Sequence, residues 1–414
     1  MPGLITERNF PTSWTIKRFK YCAQICNGGE YSDIEVKEGG YPVIGSGGEF
    51  ARASKFSYCG KSVLLGRKGT VDKPLFVDGA FWCVDTMFYT KIKDFMYEKY
   101  LYYCALCFPF DYYVTSTALP SMTQRDLGSQ EIAVPPKKDQ KAIADFLDKE
   151  CAQIDSIAAD LEKQIDLLQQ YKKSLITETV TKGLDESVPM KDSGVEWIGK
   201  IPAHWDFKRL KFMLENSSDS MKVGPFGSAL SGSDFTDEGK WVYNQRVVLD
   251  NNCSENTTFV SEEKFQEMRS FAVYPGDILI TTRGTIGKVA IVPEGANEGI
   301  LHPCIIKFRV DKEMIIPELL QLIFNESDFV KDQFTLMSNA TTIEVVYSYS
   351  LKDILLPVIP ADEQEKICGY LSKKCIAIDG IIAEKQKALA TITKHKKSLI
   401  YEYVTGKKRV KEVQ

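Results

Sequence analysis

Between Asp139 and Val180 the chain carries neither glycine nor proline, and Leu147, Ile154, Leu161, Leu168 and Leu175 return at every seventh position. Cys151, Ala158 and Ile165 fill the companion positions four residues on, which completes the apolar seam of a coiled-coil helix. Pro135 and Pro136 mark its entry, Asp139 supplies an acid for the cap or first turn, and Gly183 supplies the stop. The scheme returns in Ile367, Leu371, Ile378, Ile392 and Leu399, with Lys385 interrupting the seam where the first copy has Leu161. A helix of about 40 residues extends roughly 60 Å at ~1.5 Å per residue and cannot cover its own stripe. The pattern therefore predicts two long helices packed on each other, antiparallel because a whole domain separates them. Packing of each helix on its own globular domain is the alternative. Lys172, Lys173, Lys396 and Lys397, near the two C-terminal ends, suit the helix dipole and read as a solvated face.

The two helices are copies of one another. Shifted by 224 residues, Pro136 to Thr181 falls on Pro360 to Thr405 without a gap, with 19 of 46 positions identical. A fainter echo joins PTSWTIKRFK (11–20) to PAHWDFKRLK (202–211) at an offset of 191. The repeat is therefore variable, repeated, variable, repeated, and the second variable part is the longer by 33 residues. Internal duplication of this kind suits a two-fold target or partner.

Both variable parts alternate short apolar runs with glycine and proline. SVLLGRKGT (62–70) and AFWCVDTMFY (80–89) in the first, and DILITTRGTIGKVAIV (277–292) and HPCIIKFRV (302–310) in the second, read as strands of mixed sheets. Each part places a basic turn after a strand: Arg67-Lys68-Gly69-Thr70 in one and Arg283-Gly284-Thr285 in the other. Helical stretches follow at 96–108 and 316–334. The expected class is α/β of mixed α+β type, with two related modules on an antiparallel coiled coil and an internal pseudo-two-fold repeat.

Composition narrows the chemistry more than the fold. At 414 residues, 44% hydrophobic and 26% charged, the chain suits two or three soluble domains, and without an apolar run of membrane length it reads as cytoplasmic. A net charge of −4 excludes a uniformly basic surface but leaves room for local basic patches. The eleven cysteines, including CxxC at Cys104 and Cys107, lack a second pair at zinc spacing and read as buried thiols. None of His204, His302 and His395 lies in a metal or catalytic spacing. Gly60-Lys61-Ser62 ends like a phosphate loop but has Lys55 where the upstream glycine belongs, and GSGGEF (45–50) misses the third glycine of a dinucleotide loop. No catalytic residue, cofactor or metal is expected.

The repeat, VEWIGKIPAHW (195–205), KVGPFGSAL (222–230), STALPSMTQRDLGSQEIAVPPKKDQKAI (116–143) and the acid-glutamine pairs at 139–140 and 363–364 together resemble the specificity subunit of type I restriction–modification systems. The resemblance covers essentially the whole chain. It implies target-recognition domains at 1–135 and 205–358, helical spacers at 136–183 and 359–414 with a tail, and a linker at 184–204. It implies a non-catalytic subunit whose two domains each read one half of a bipartite, asymmetric site on double-stranded DNA. The half-sites would be inverted in orientation and different in bases. The helices would set the spacer and, with their flanks, meet two methyltransferase subunits, while two translocase-nuclease subunits complete the complex. A modification-only methyltransferase and a DNA-independent scaffold are the competing readings.

Loop polar residues that can meet base edges or phosphates give the candidate contacts. In the first domain these are Arg52, Arg67, Lys68, Thr70, Lys73, Ser116 and Thr117. In the second they are Lys222, Ser228, Gln245, Arg246, Thr282, Arg283, Asn339, Thr341 and Thr342. Tyr112, Tyr113 and Tyr347 are read as packing on sheets, with base stacking as the second reading.

Overall fold

The computed structural model describes residues 13–113, 120–226, 229–253, 255, 257–338 and 345–410. They fall into two compact units, one built from the chain up to residue 163 together with the chain from 385 onward, the other from 164–384.

In the first unit, strand Thr15–Arg18 pairs antiparallel with Glu131–Val134, just before the first long helix, Lys137–Lys182. One sheet has the order Ala23–Asn27, Met87–Ile92, Ser62–Gly66, Leu75–Val77, antiparallel throughout. A second has the order Gly48–Ala53, Tyr41–Gly45, Ala80–Cys83, Tyr58–Cys59, in which the two middle strands run parallel. The second unit repeats the plan. Asp206–Arg209 pairs with Leu355–Val358, and one sheet has the order Met221–Val223, Ile305–Phe308, Ile278–Thr281, Val289–Ile291. The other has five strands around the parallel pair Lys240–Tyr243 and Gly299–Leu301. The apolar runs of the sequence thus become strands, and AFWCVDTMFY divides into two of them around a turn at 84–86.

The surplus length of the second module lies in its connections. Ser46–Gly47 alone joins two strands in the first module, whereas residues 244–258 join their counterparts and hold helix Gln245–Leu249. Gly28 and Gly224 hold the same place in the two frames, their N–H groups donating to Met87 O (3.1 Å) and Ile305 O (2.9 Å). A Cβ at either would lie 1.8 Å from Val84 O or 2.2 Å from His302 O, so only glycine admits that approach.

The long helices, Lys137–Lys182 and Ala361–Val404, bury their stripes within each unit against both a module and the other helix. In the first unit Leu147 and Cys151 join Leu399, Ile400 and Val404 in one core with Phe19, Tyr100 and Leu101. In the second, Ile176 and Val180 join Ile367, Leu371 and Cys375 in a core with Trp205 and Phe308. The two packing expectations are therefore met together. Two of the four lysines depart from expectation: Lys396 binds Asp155 (2.6 Å) and Lys172 binds Asp379 (2.8 Å), the same antiparallel ion pair once in each unit. Lys172 also reaches Glu326 at 2.7 Å, and its side chain is 12% exposed. Lys172 and Lys396 are thus interhelical partners, whereas Lys173, which pairs with Asp328 (3.0 Å) while 49% exposed, and Lys397 stay on the exposed face, as expected. The eleven cysteines are free; six are buried, including the equivalent Cys151 and Cys375, and Cys59 stands at the surface.

A buried glutamine ties each helix start to its module. Gln140 Nε2 donates to Pro135 O (2.8 Å) and Phe95 O (3.2 Å), and its Oε1 accepts Tyr97 N–H (2.7 Å), which precedes helix Glu98–Leu106. Gln364 does the same with Ile359 O (2.8 Å), Met314 O (3.0 Å) and Ile316 N–H (2.9 Å), ahead of helix Pro317–Glu326. Residues 184–204 form a hairpin, Met190–Asp192 with Lys200–Pro202, and Trp197 packs at 5.2 Å on Phe329. Among the described residues no helix is long and apolar enough to cross a membrane.

Removing either glutamine leaves a buried carbonyl and N–H unpaired, so Gln140→Ala and Gln364→Ala are each expected to cost about 2–3 kcal/mol. Urea unfolding followed by fluorescence checks this. Equal costs within error are expected, because the two sites are copies.

Candidate nucleic-acid interface

Strand Ser62–Gly66 ends in the turn Arg67-Lys68-Gly69, and backbone bonds on both sides fix that turn. Arg67 N–H and Lys68 N–H donate to Thr86 O at 2.9 and 3.1 Å. Gly69, at φ 78°, donates to Pro120 O (2.9 Å), while Arg67 O accepts Met122 N–H (3.0 Å) and Lys68 bridges Ser121. A Cβ on Gly66 would come within 2.4 Å of Thr70 O, so the turn closes tightly. Arg67 donates through Nη1 to Asp85 O (3.2 Å) and lies 6.0 Å from the Phe88 ring. Lys68, Thr70 and Lys73 project to solvent.

The second module builds the same corner from other residues. Strand Ile278–Thr281 continues into Thr282-Arg283-Gly284, with Gly284 at φ 65°. Thr282 donates through N–H (3.0 Å) and Oγ1 (2.9 Å) to Cys304 O, and its own carbonyl accepts Val346 N–H (2.8 Å). Arg283 bridges Val345 and is exposed. The inserted helix Gln245–Leu249 reaches this corner: Gln245 Nε2 donates to Arg283 O at 2.9 Å. Asn244 caps that helix by accepting Arg246 N–H (3.0 Å) and Val247 N–H (3.2 Å), and exposed Arg246 faces Asp250 at 3.4 Å.

The structure thus gathers Arg67, Lys68 and Thr70 at one turn, and Gln245, Thr282 and Arg283 at the other. Thr282 is 6% exposed with its hydroxyl engaged, so it holds the turn and does not face outward. Arg52 lies on the other sheet, donating to Gly40 O (3.0 Å) and pairing with Glu49 (3.2 Å). Lys222 lies with its Nζ 5.1 Å from the Phe271 ring. Ser116, Thr117, Ser228, Asn339, Thr341 and Thr342 lie outside the described residues.

Three features of this surface go beyond the expectations drawn from the sequence. Segments 120–122 and 345–346 receive the two basic turns, yet the chain distance from Arg67 and Arg283 hides that. Tyr347 and Tyr349 stack at 5.3 Å with planes 8° apart while remaining 53% and 66% exposed, and Tyr112 is 60% exposed. The expected sheet packing is therefore not found for Tyr112 and Tyr347, and a Tyr-x-Tyr spacing was the available clue. His302 Nδ1 accepts Cys304 N–H (3.2 Å), beside the carbonyl that holds Thr282, and burial keeps the imidazole below its ordinary pKa. Burial likewise draws Lys288, further along the same loop, below the usual lysine range.

The family model described as "Type I restriction modification DNA specificity domain" matches residues 11–167 and 222–391. The type I restriction enzyme MjaVIII specificity subunit of Methanocaldococcus jannaschii is 26% identical over 302 residues, covering 72% of this chain. The chain spans just under two thirds, 66%, of that relative's length. The EcoBI specificity subunit of Escherichia coli is 23% identical over 351 residues, covering 80% of this chain and 72% of that protein. A solved chain from a type I R-M system superposes with a TM-score of 0.67 at 14% identity, covering 97% of this chain and 100% of the other.

Because the folded pKa of His302 lies below 6.5, the unfolded chain binds the extra proton first as pH falls, and stability is lost on the acid side. Between pH 7.5 and about 5.5 the wild type is expected to lose more of its urea midpoint than His302→Gln, whose side chain does not titrate.

Proposed function

Because the chain belongs to the family of type I restriction modification DNA specificity domains, we propose that it is the sequence-reading subunit of such a system, with each module reading one half of a bipartite, asymmetric DNA site. The observation that carries this reading is the pair of basic turns, Arg67–Gly69 and Arg283–Gly284, anchored alike but bearing different side chains. A common anchor with changed side chains is what two readers of different base sequences require. In this reading Arg283, with Gln245 behind it, faces bases of one half-site, and Arg67, Lys68 and Thr70 face the other. Lys73, Arg246, Lys222 and Arg52 join as backbone or supporting contacts, and Ser116, Thr117, Ser228, Asn339, Thr341 and Thr342, outside the described residues, are proposed as further contacts from the sequence.

The long helices set the unread spacer. Helices of 46 and 44 residues extend roughly 69 and 66 Å at ~1.5 Å per residue, which is about two turns of duplex at ~34 Å per turn. They also carry the partners, two methyltransferase subunits that modify adenine, joined by two translocase-nuclease subunits in the cytoplasm. Ile157 and Ile381, equivalent at the 224-residue offset, support a docking role, since both are surface-exposed at 52% and 44%. Catalysis then belongs to the partners, and this chain contributes recognition and geometry.

Selection of random duplexes on the chain assembled with its modification subunits is expected to return one bipartite motif, and a pool with no enriched motif contradicts the reading. Arg283→Ala is expected to relax a single position of one half-site by ~1–3 kcal/mol and leave the other half-site unchanged. Insertion of one heptad near residue 160 is expected to change the spacer length and neither half-site. Ile157→Asp with Ile381→Asp is expected to release the modification subunits in gel filtration while the chain's melting temperature holds.

A further inference from the structure

The faint early repeat, Lys17-Arg18-Phe19-Lys20-Tyr21 against Lys208-Arg209-Leu210-Lys211-Phe212, keeps more than its buried residue. Phe19 and Leu210 are fully buried, and their N–H groups donate alike to Gln130 O and Ile354 O, each at 2.8 Å. Core packing accounts for both. The next two residues have no such explanation, for Tyr21 is 60% and Phe212 63% exposed. In each copy the preceding lysine lies over the exposed ring, Lys20 at 5.1 Å from the Tyr21 centroid and Lys211 at 5.3 Å from that of Phe212. An exposed ring capped by a cation, present in both halves of a chain whose modules have otherwise diverged, implies a partner that both halves meet in the same form.

Position in the frame connects this step to the reading turns. Met122 bonds to Arg67 O, Thr123 caps helix Gln124–Ser129, and that helix packs on Phe19–Cys22, which carries Lys20 and Tyr21. In the second unit Val346 bonds to Thr282 O, Tyr347 precedes helix Ser348–Lys352, and that helix packs on Leu210–Phe212. The intervening helix has six residues in the first unit and five in the second, rises of about 9 and 7.5 Å, so only a short element separates each turn from its lysine–ring step. Exposed Arg18 and Arg125 add positive charge beside Lys20. Beside Lys211, Asp353 offsets part of it by pairing with Arg209 (3.2 Å) and Lys211 (3.0 Å), while Ser129 stands at the equivalent place in the first unit. Glu131, opposite Arg18 in the strand pair, is the acidic neighbour there.

We propose that Lys20–Tyr21 and Lys211–Phe212 are a duplicated backbone clamp that grips DNA phosphates and sugars beside each half-site without reading bases. The backbone is the part of a duplex that stays the same whatever the two half-sites are, and a cation beside a ring matches phosphate and sugar together. The proposal rests on the DNA-reading function above.

The test titrates the full-length chain, assembled with its modification subunits, with its selected duplex and with a scrambled duplex across a series of potassium chloride concentrations. Lys20→Ala with Lys211→Ala is expected to lower affinity about tenfold or more for both duplexes and to make the log affinity against log salt slope shallower by about 1–2, leaving the specificity ratio unchanged. Tyr21→Ala with Phe212→Ala is expected to lower affinity with the slope unchanged, because neutral rings release no counterions. Wild-type binding together with an unchanged slope in the lysine variant overturns the clamp alone. Loss of the modification subunits from that variant, with its slope unchanged, assigns the patch to protein docking and overturns the clamp. Failure of the wild type to prefer its selected duplex overturns the DNA-reading function itself, which keeps the two failures apart.

Discussion

A helix of more than forty residues in water must cover an apolar stripe that its own backbone cannot hide, and most of this chain is arranged around that need. Within each unit the start of one long helix lies against the end of the other, and the joint apolar core supplies the stabilisation. Asp155–Lys396 and Lys172–Asp379 add little energy where they are exposed, but each fits the antiparallel register of its own unit. Gln140 and Gln364 then carry that register into the modules, since each joins the first turn of a long helix to the loop and helix behind it.

On that frame the modules differ by filling and not by plan. Where the first has Tyr89 stacked on Tyr58 at 5.8 Å, the equivalent place in the second holds Lys307, buried with Asp277 (3.4 Å), which also takes Arg309 at 2.5 Å. A buried ionic network is costly unless every member is satisfied, and here Ala272 O (2.9 Å) and Asp219 (3.2 Å) complete the lysine's set. The inserted helix bearing Gln245 is a second such difference. Both leave in place the backbone bonds that the two basic turns share, and the inserted helix adds one more, from Gln245 to Arg283 O (2.9 Å), which is how one fold carries two different surfaces.

Much of this was legible in the sequence because it is periodic or local. The seven-residue spacing of Leu147 to Leu175 marked the first long helix, and the offset of 224 marked its copy. Strand-ending glycines marked the two basic turns. What escaped was long-range pairing between residues with a satisfactory local explanation. Lys172 and Lys396 suited a helix C-terminus, yet their partners lie 207 and 241 positions away. Gln245 was a candidate contact, but its bond to Arg283 O, 38 positions on, has no sequence signal. Tyr347 suited a strand because aromatic residues favour sheets, whereas the fold leaves it stacked on Tyr349 at the surface.

The central claim is that two separately built modules each read one half of a site on a common frame. Exchange of residues 13–134 for a module from another specificity subunit, followed by methylation-aware sequencing of the host genome, tests it most directly. A methylated motif altered in one half-site, with the other half-site and the spacer unchanged, is the predicted result. A motif altered in both half-sites, or in neither, would contradict it.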